Sequence, residues 1–153
     1  MRPLLKYLFS ILETNDDEIV ADALWAWAYL AEMENYKGED ILNKITQKKL
    51  IMFIGKEKSA ATFPALRIIG DICSGSDLIV DQIVDVYMLK IIGNILISKS
   101  HQGILKEICW LVSNLAAGPS RHISMLVDAD MFKCLCQFIS TSTVDFDVLL
   151  YQS

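Results

Sequence analysis

Three stretches of this chain are versions of one another: "ADALWAWAYLAE" (21–32), "FPALRIIGDICSG" (63–75) and "EICWLVSNLAAG" (107–118). Trp25, Arg67 and Trp110 hold the same place in each, 42 and 43 residues apart. Tyr29, Asp71 and Asn114 follow each of them by four residues, and Asp22 and Glu107 precede the first and third by three. Self-similarity at this period constrains the fold more than any composition could. It implies stacked units, each unable to bury its apolar face alone.

The units read as helical. In 106–118, Ile108, Leu111, Val112 and Leu115 recur at i, i+3, i+4 and i+7, the stripe of a core-facing helix. Glu107, Trp110 and Asn114 fall on the far side. In the first stretch Val20, Leu24, Trp27 and Leu30 oppose Trp25, Tyr29 and Asp22. In the second, Leu66, Ile69 and Cys73 oppose Arg67 and Asp71. Trp27 is therefore expected in the core, and the other face of each helix on display.

Ahead of the markers, "PLLKYLFSIL" (3–12), "KKLIMFIGKE" (48–57), "YMLKIIGNIL" (87–96) and "MFKCLCQFIS" (131–140) read as amphipathic helices, and polar loops such as "ETNDDE" and "SKSHQG" separate elements. Shorter segments, "EDILNKIT", "SDLIVDQIVDV" and "RHISMLVDAD", precede the last three. Each unit is thus a short, a middle and a long last helix, and a period of about 42 residues with three helices is in the armadillo range. No stretch alternates as a strand would. Gly75 and Gly118 stand where a left-handed residue would end a helix, Pro119 blocks continuation, and Pro64 lies near a helix start where a missing N–H is harmless.

The expected fold is all-α, a right-handed armadillo-repeat superhelix (α-solenoid). It forms a single array over 1–153, with repeats near 1–34, 35–76, 77–119 and 120–153, the last incomplete. Stacking would line the displayed faces into one groove. With 53% hydrophobic residues and a mean hydropathy of +0.36, the apolar content is high for a chain this short: either the core is unusually large, or some apolar surface belongs against something else. No apolar run reaches the roughly 18 residues of a membrane span. Lys6 interrupts the N-terminal apolar run and no small-x-small cleavage site follows, so 1–12 reads as an ordinary amphipathic helix.

A net charge of −5 argues against direct nucleic-acid binding and suits a basic partner. Cys73, Cys109, Cys134 and Cys136 lie in apolar helical runs and read as buried, reduced thiols of an intracellular protein. Cys134-x-Cys136 does not share a helix face, and no His cluster supports a metal site. His101 and His122 read as solvated. No Ser/His/Asp set, phosphate loop or dinucleotide fingerprint appears, so neither an enzyme nor a cofactor is expected.

These motifs resemble those of importin-α (karyopherin-α), the armadillo adaptor that binds nuclear localisation signals. "DDEIVADALWAWAYL" is similar to the family's acidic loop followed by D-A-C-W-A-x-S-Y-L. "FPALRIIGDICSG" is similar to T-P-A-L-R-x-x-G-N-I-x-T-G, "KEICWLVSNLAAG" to K-E-A-C-W-x-x-S-N-I-x-A-G, and "VDADMF" to I-D-A-G-x-F. The resemblance covers nearly the whole chain and corresponds to the family's fifth, sixth and seventh repeats and the start of the eighth.

It implies a groove for basic nuclear localisation peptides of cargo proteins, lined by Asp22, Trp25, Tyr29, Arg67, Asp71, Asp77, Glu107, Trp110 and Asn114. In the family, asparagines bond the peptide backbone, Trp rings flank lysine stems, and carboxylates add charge-assisted contacts. Arg67 matches an Arg that replaces Trp in the sixth repeat, and Asp77 matches an acidic residue after that helix. Asp71 departs from the family's Asn, and an ionised Asp only accepts hydrogen bonds. Asp71 therefore either keeps half of that interaction or pairs with Arg67 one turn away.

The family's major cargo site, the basic importin-β-binding segment and the Trp of the eighth repeat have no counterpart in these residues. Weak peptide binding is expected, with importin-β contact through this segment not expected, and residence in cytoplasm and nucleus. The alternative is a shortened armadillo scaffold that has lost cargo transport and associates with itself or partners through exposed repeat ends.

Overall fold

The computed structural model describes residues 7–8, 10–31, 47–56, 59–98 and 101–141. The segments 39–46 and 145–153, and half of the helix expected over 3–12, lie outside the described residues. Among those described there is no strand. The helices are, in order, α1 (Asp17–Ala31), α2 (Gln47–Gly55), α3 (Thr62–Cys73), α4 (Asp77–Ile83), α5 (Val86–Ile97), α6 (Gln102–Ala117), α7 (Ser120–Asp128) and α8 (Met131–Thr141).

Three of the helix starts are capped by side chains. Asp16 Oδ1 accepts from the N–H groups of Glu18 and Ile19 at 3.0 and 3.2 Å, so α1 begins inside the stretch expected as a polar loop. Asp85 Oδ1 accepts from Met88 N at 2.7 Å and caps α5, while its Oδ2 accepts from Gln47 at the start of α2. His101 is exposed, as expected, and also works as a cap, its Nδ1 accepting from Gly103 N at 3.1 Å. Such caps typically contribute about 1 kcal/mol each. Pro64 sits in the first turn of α3 and Pro119 is the residue before α7, both positions that need no N–H.

The helices form two rows. The long last helices α1, α3 and α6 pack side by side, and the middle helices α2, α5 and α8 form a second row beneath them. The short helices α4 and α7 join the rows. This is an α-solenoid, with successive helices of each row stacked on one another. One continuous core lies between the rows, with Leu24, Trp27, Leu66, Ile69, Met88, Ile92, Ile108 and Leu111 fully buried. The expected core stripes of α1, α3 and α6 all face it, Trp27 included, with Leu30 half-buried at its edge.

α3 departs from the single-stripe expectation. Nine of its twelve residues are buried, including Ala65, Ile68 and Ile72, because α1 and α6 flank it on both sides and α2 lies against it. At Gly70 the helix α3 packs directly against α6. A Cβ there would stand 2.6 Å from Cζ3 and 2.7 Å from Cε3 of Trp110 on α6.

Successive units are also tied by charge at nearly constant sequence separation. Lys49 pairs with Glu13, Lys56 with Asp17, Arg67 with Glu107, and Arg121 with Asp81, at separations of 36 to 40 residues. Most of these groups are substantially exposed, so each pair alone contributes little.

Four expectations need correction. No described glycine has a positive φ. Gly118 is extended (φ −83°, ψ −168°) because the residue before a proline is pushed out of the helical region. It is small for another reason: a Cβ would lie 2.7 Å from Nδ1 of His122. Gly75 closes its turn through an N–H bond to the Ile72 carbonyl at 3.0 Å without a left-handed residue. The left-handed position is Asp130 (φ 57°) between α7 and α8.

His122 is not solvated. It is 2% exposed, its Nε2 lies 2.9 Å from Asp81 Oδ1, and its Nδ1 lies 4.0 Å from Asp77 Oδ1. The cysteines also differ from expectation: Cys73 is buried and its thiol is pushed up to about 12 by desolvation, Cys134 is half-buried, and Cys109 and Cys136 are exposed.

Three outcomes follow from this packing. Gly70→Ala should lower the melting temperature although Ala is the better helix former by about 1 kcal/mol, because the Trp110 ring must move; a higher melting temperature would contradict the contact. Asp130→Gly should raise the urea midpoint, since an L side chain at positive φ costs on the order of 1 kcal/mol. The third concerns Asp81, whose carboxyl is held below its ordinary range by hydrogen bonds from Arg121 and His122. A group depressed in the folded state stabilises it above the unfolded value, about 3.9, and loses that contribution as pH falls through the folded value. Wild type should therefore lose stability toward acid more steeply than Asp81→Asn, and parallel urea-midpoint profiles would show the cluster to be energetically idle.

Candidate functional site

The upper row carries the displayed residues. On α1, Asp22 and Tyr29 are exposed and Trp25 is half-buried. The Trp25 and Tyr29 rings stack with centroids 5.9 Å apart, one turn along the same helix. Trp25 also meets Phe63 of α3 edge-on at 5.0 Å. Aromatic pairs in such geometries add about 0.5–1.5 kcal/mol beyond their buried area, so this wall is held in place from both sides.

Between α3 and α6 the arrangement is polar and aromatic together. The Arg67 guanidinium lies over the Trp110 ring with Cζ 5.1 Å from its centroid. Its Nη1 donates to Glu107 Oε1 at 3.2 Å, and its Nε lies 3.8 Å from Asp71 Oδ1 one turn away. Of the two openings left for Asp71 by its sequence, pairing with Arg67 is therefore the one observed. Glu107 is largely buried, and its Oε2 has no hydrogen-bond partner among the described residues. Asn114 Nδ2 points to the Gly70 carbonyl at 3.5 Å, the outer limit of a hydrogen bond. Arg67, Asp71, Glu107, Trp110 and Asn114 are thus one constellation, and Asp22, Trp25 and Tyr29 a second. Asp77 joins neither: it is exposed at the first turn of α4, its carboxylate toward His122.

The display of Trp110 is partial. One edge presses on α3 at Gly70 while Arg67 covers ring surface from the same helix. A cation, two carboxylates and an indole can together hold a cationic or amide-bearing chain by cation–π contact, charge and hydrogen bonds. Among the described residues no group of three or more His, Cys, Asp or Glu could hold a metal ion, and no helix is long and apolar enough to cross a membrane.

Phe63 and Gly70 lie outside the set that the repeat pattern singles out. Both left a signal. Phe63 stands four residues before Arg67, on the stripe that leads to Asp71, and a glycine inside a helix that costs about 1 kcal/mol there usually marks a close approach.

No family model matches the chain. Among curated proteins it is 29% identical over 141 residues to importin subunit alpha-1a of Oryza sativa subsp. japonica, covering 92% of this chain and 27% of that protein. It is 32% identical over 109 residues to importin subunit alpha-3 of Arabidopsis thaliana, covering 71% of this chain and 20% of that one. The chain spans a fifth to about a quarter of the length of these relatives. Among solved structures, a designed armadillo-repeat protein in complex with the peptide (KR)4 superposes with a TM-score of 0.79 at 20% identity, over 90% of this chain and 57% of that one. An engineered protein solved by the Northeast Structural Genomics Consortium gives 0.78 at 24% identity, over 91% of this chain and 56% of its own. The structural likeness establishes the fold, the curated relatives the lineage: the chain belongs to the importin-α (karyopherin-α) family of armadillo-repeat proteins.

Proposed function

We propose that this chain is a non-enzymatic peptide-binding module of the nuclear import machinery. It takes lysine-rich nuclear localisation signals along the upper row of helices, in the groove lined by Asp22, Trp25, Tyr29, Arg67, Asp71, Glu107, Trp110 and Asn114, with Asp77 at the periphery. The observation that carries this reading is the Arg67–Asp71–Glu107–Trp110–Asn114 constellation, where a π surface and two carboxylates share one rung. The net charge of −5 favours basic partners. The designed relative solved with (KR)4 supports the fold's suitability for alternating basic peptides. On this reading the array divides near 34, 76 and 119, corresponds to the fifth to seventh repeats of the family with the start of the eighth, and works in cytoplasm and nucleus.

Binding should be weak and salt-sensitive, because exposed charges are screened beyond about 8 Å at physiological ionic strength. A labelled lysine-rich peptide should bind by fluorescence anisotropy and be released by salt. Trp110→Leu, which keeps apolar contact with Gly70 but removes the π face, should weaken binding roughly threefold. Superimposable titrations of wild type and Trp110→Leu would remove this reading.

A further inference from the structure

We propose that Arg67 is an internal ligand of the Trp110 rung. Its guanidinium occupies the place over the indole that a peptide lysine or arginine would take, so the rung is self-occupied and an incoming cation must displace it. This rests on the peptide-groove reading above and adds a competitor within it.

Each contact by which the rung would hold a foreign cation is already made to Arg67. The π surface of Trp110 lies under its Cζ at 5.1 Å. The largely buried carboxylate of Glu107 accepts from its Nη1 at 3.2 Å. Asp71 stands 3.8 Å from its Nε. A guanidinium is planar and presents several donors at once, so it satisfies a ring face and two carboxylates together in a way an ammonium does not. Arg67 also springs from the helix that supports the ring. It lies one turn before Gly70, against which Trp110 is seated, so the cover and the seat of the indole move as one body.

The occupation is reversible by design of its exposure. The Arg67 side chain keeps 33% of its accessible surface, so it can swing into water without breaking the core. Two carboxylates, Asp71 and Glu107, face the guanidinium, so a cation that displaces it meets negative charge beside the ring. Asp71 has a specific part in this: it anchors the guanidinium from the same helix, where an amide would contribute no charge. Asp71 and Arg67 are therefore positioning and specificity-determining residues, and they tune the rung toward peptides basic enough to outcompete an internal arginine.

The test uses the full chain and the same labelled lysine-rich peptide. Arg67→Gln removes the charge and the stacked plane but keeps an amide donor for Glu107. It should bind the peptide roughly tenfold more tightly than wild type. The gain should vanish in Arg67→Gln/Trp110→Leu. Arg121→Gln removes an equal charge outside the rung and should bind as wild type does. Circular dichroism melts establish that each variant is folded; should Arg67→Gln fail to fold, Arg67→Lys, which retains the cation but loses the plane, should show a smaller gain. Unchanged or weaker binding by the Arg67 variants overturns self-occupancy and leaves the groove reading intact when wild type binds. An equal gain in Arg121→Gln also overturns it, as a bulk charge effect. No binding by wild type or any variant removes both readings.

Discussion

The seat of Trp110 on Gly70 organises the upper row. Where α6 crosses α3 no side chain separates ring from backbone, so the two helices come close enough for Arg67 to reach both the indole and Glu107. A larger residue at 70 would push α6 away and lengthen each of those contacts. The energetic cost of a mid-helix glycine is thus exchanged for proximity, and proximity makes a weak set of half-exposed charges into a defined constellation. Dispersion attraction falls away within about an ångström of separation, so the contact of ring and backbone depends on that proximity.

The lower row obeys the same logic with different chemistry. Asp85 caps α5 with one oxygen and takes the Gln47 amide of α2 with the other. One side chain thereby starts a helix and fixes its neighbour's position. His122 and Arg121 at the start of α7 converge on Asp81 of α4, and Gly118 leaves the room the imidazole needs. Neighbouring units are therefore registered at the upper row, the lower row and the short connecting helices, each time by groups about one repeat apart.

How much of this was legible in the sequence depends on whether a feature belongs to one helix or to two. The core stripes of α1, α3 and α6, the burial of Trp27 and the grouping of Glu107 with Trp110 and Asn114 follow from 3.6-residue periodicity within a single helix. The repeat interval then yields the stacking of last helices. What periodicity does not supply is which residues meet across a crossing. Arg67 over Trp110, Phe63 against Trp25 and His122 on Asp81 depend on the inclination and spacing of helices some forty positions apart. The corrections have the same origin. A place near a helix start predicts a solvated His122, but α4 covers it. Position alone predicts left-handed caps at Gly75 and Gly118, whereas Pro119 imposes an extended conformation on Gly118 and the positive φ falls on Asp130.

The even spacing of the inter-unit ion pairs has a consequence for how such a chain can vary in length. Its partners sit on different helices 36 to 40 residues apart, and each helical position turns by about 100°. One residue inserted inside α3 would carry everything beyond it to the wrong azimuth, breaking the row at that joint while leaving each half internally sound. The same insertion in a connection between helices would be absorbed where it occurs. Length variation in this lineage is therefore expected to gather at the joints between helices, with whole units gained or lost more readily than single residues within them.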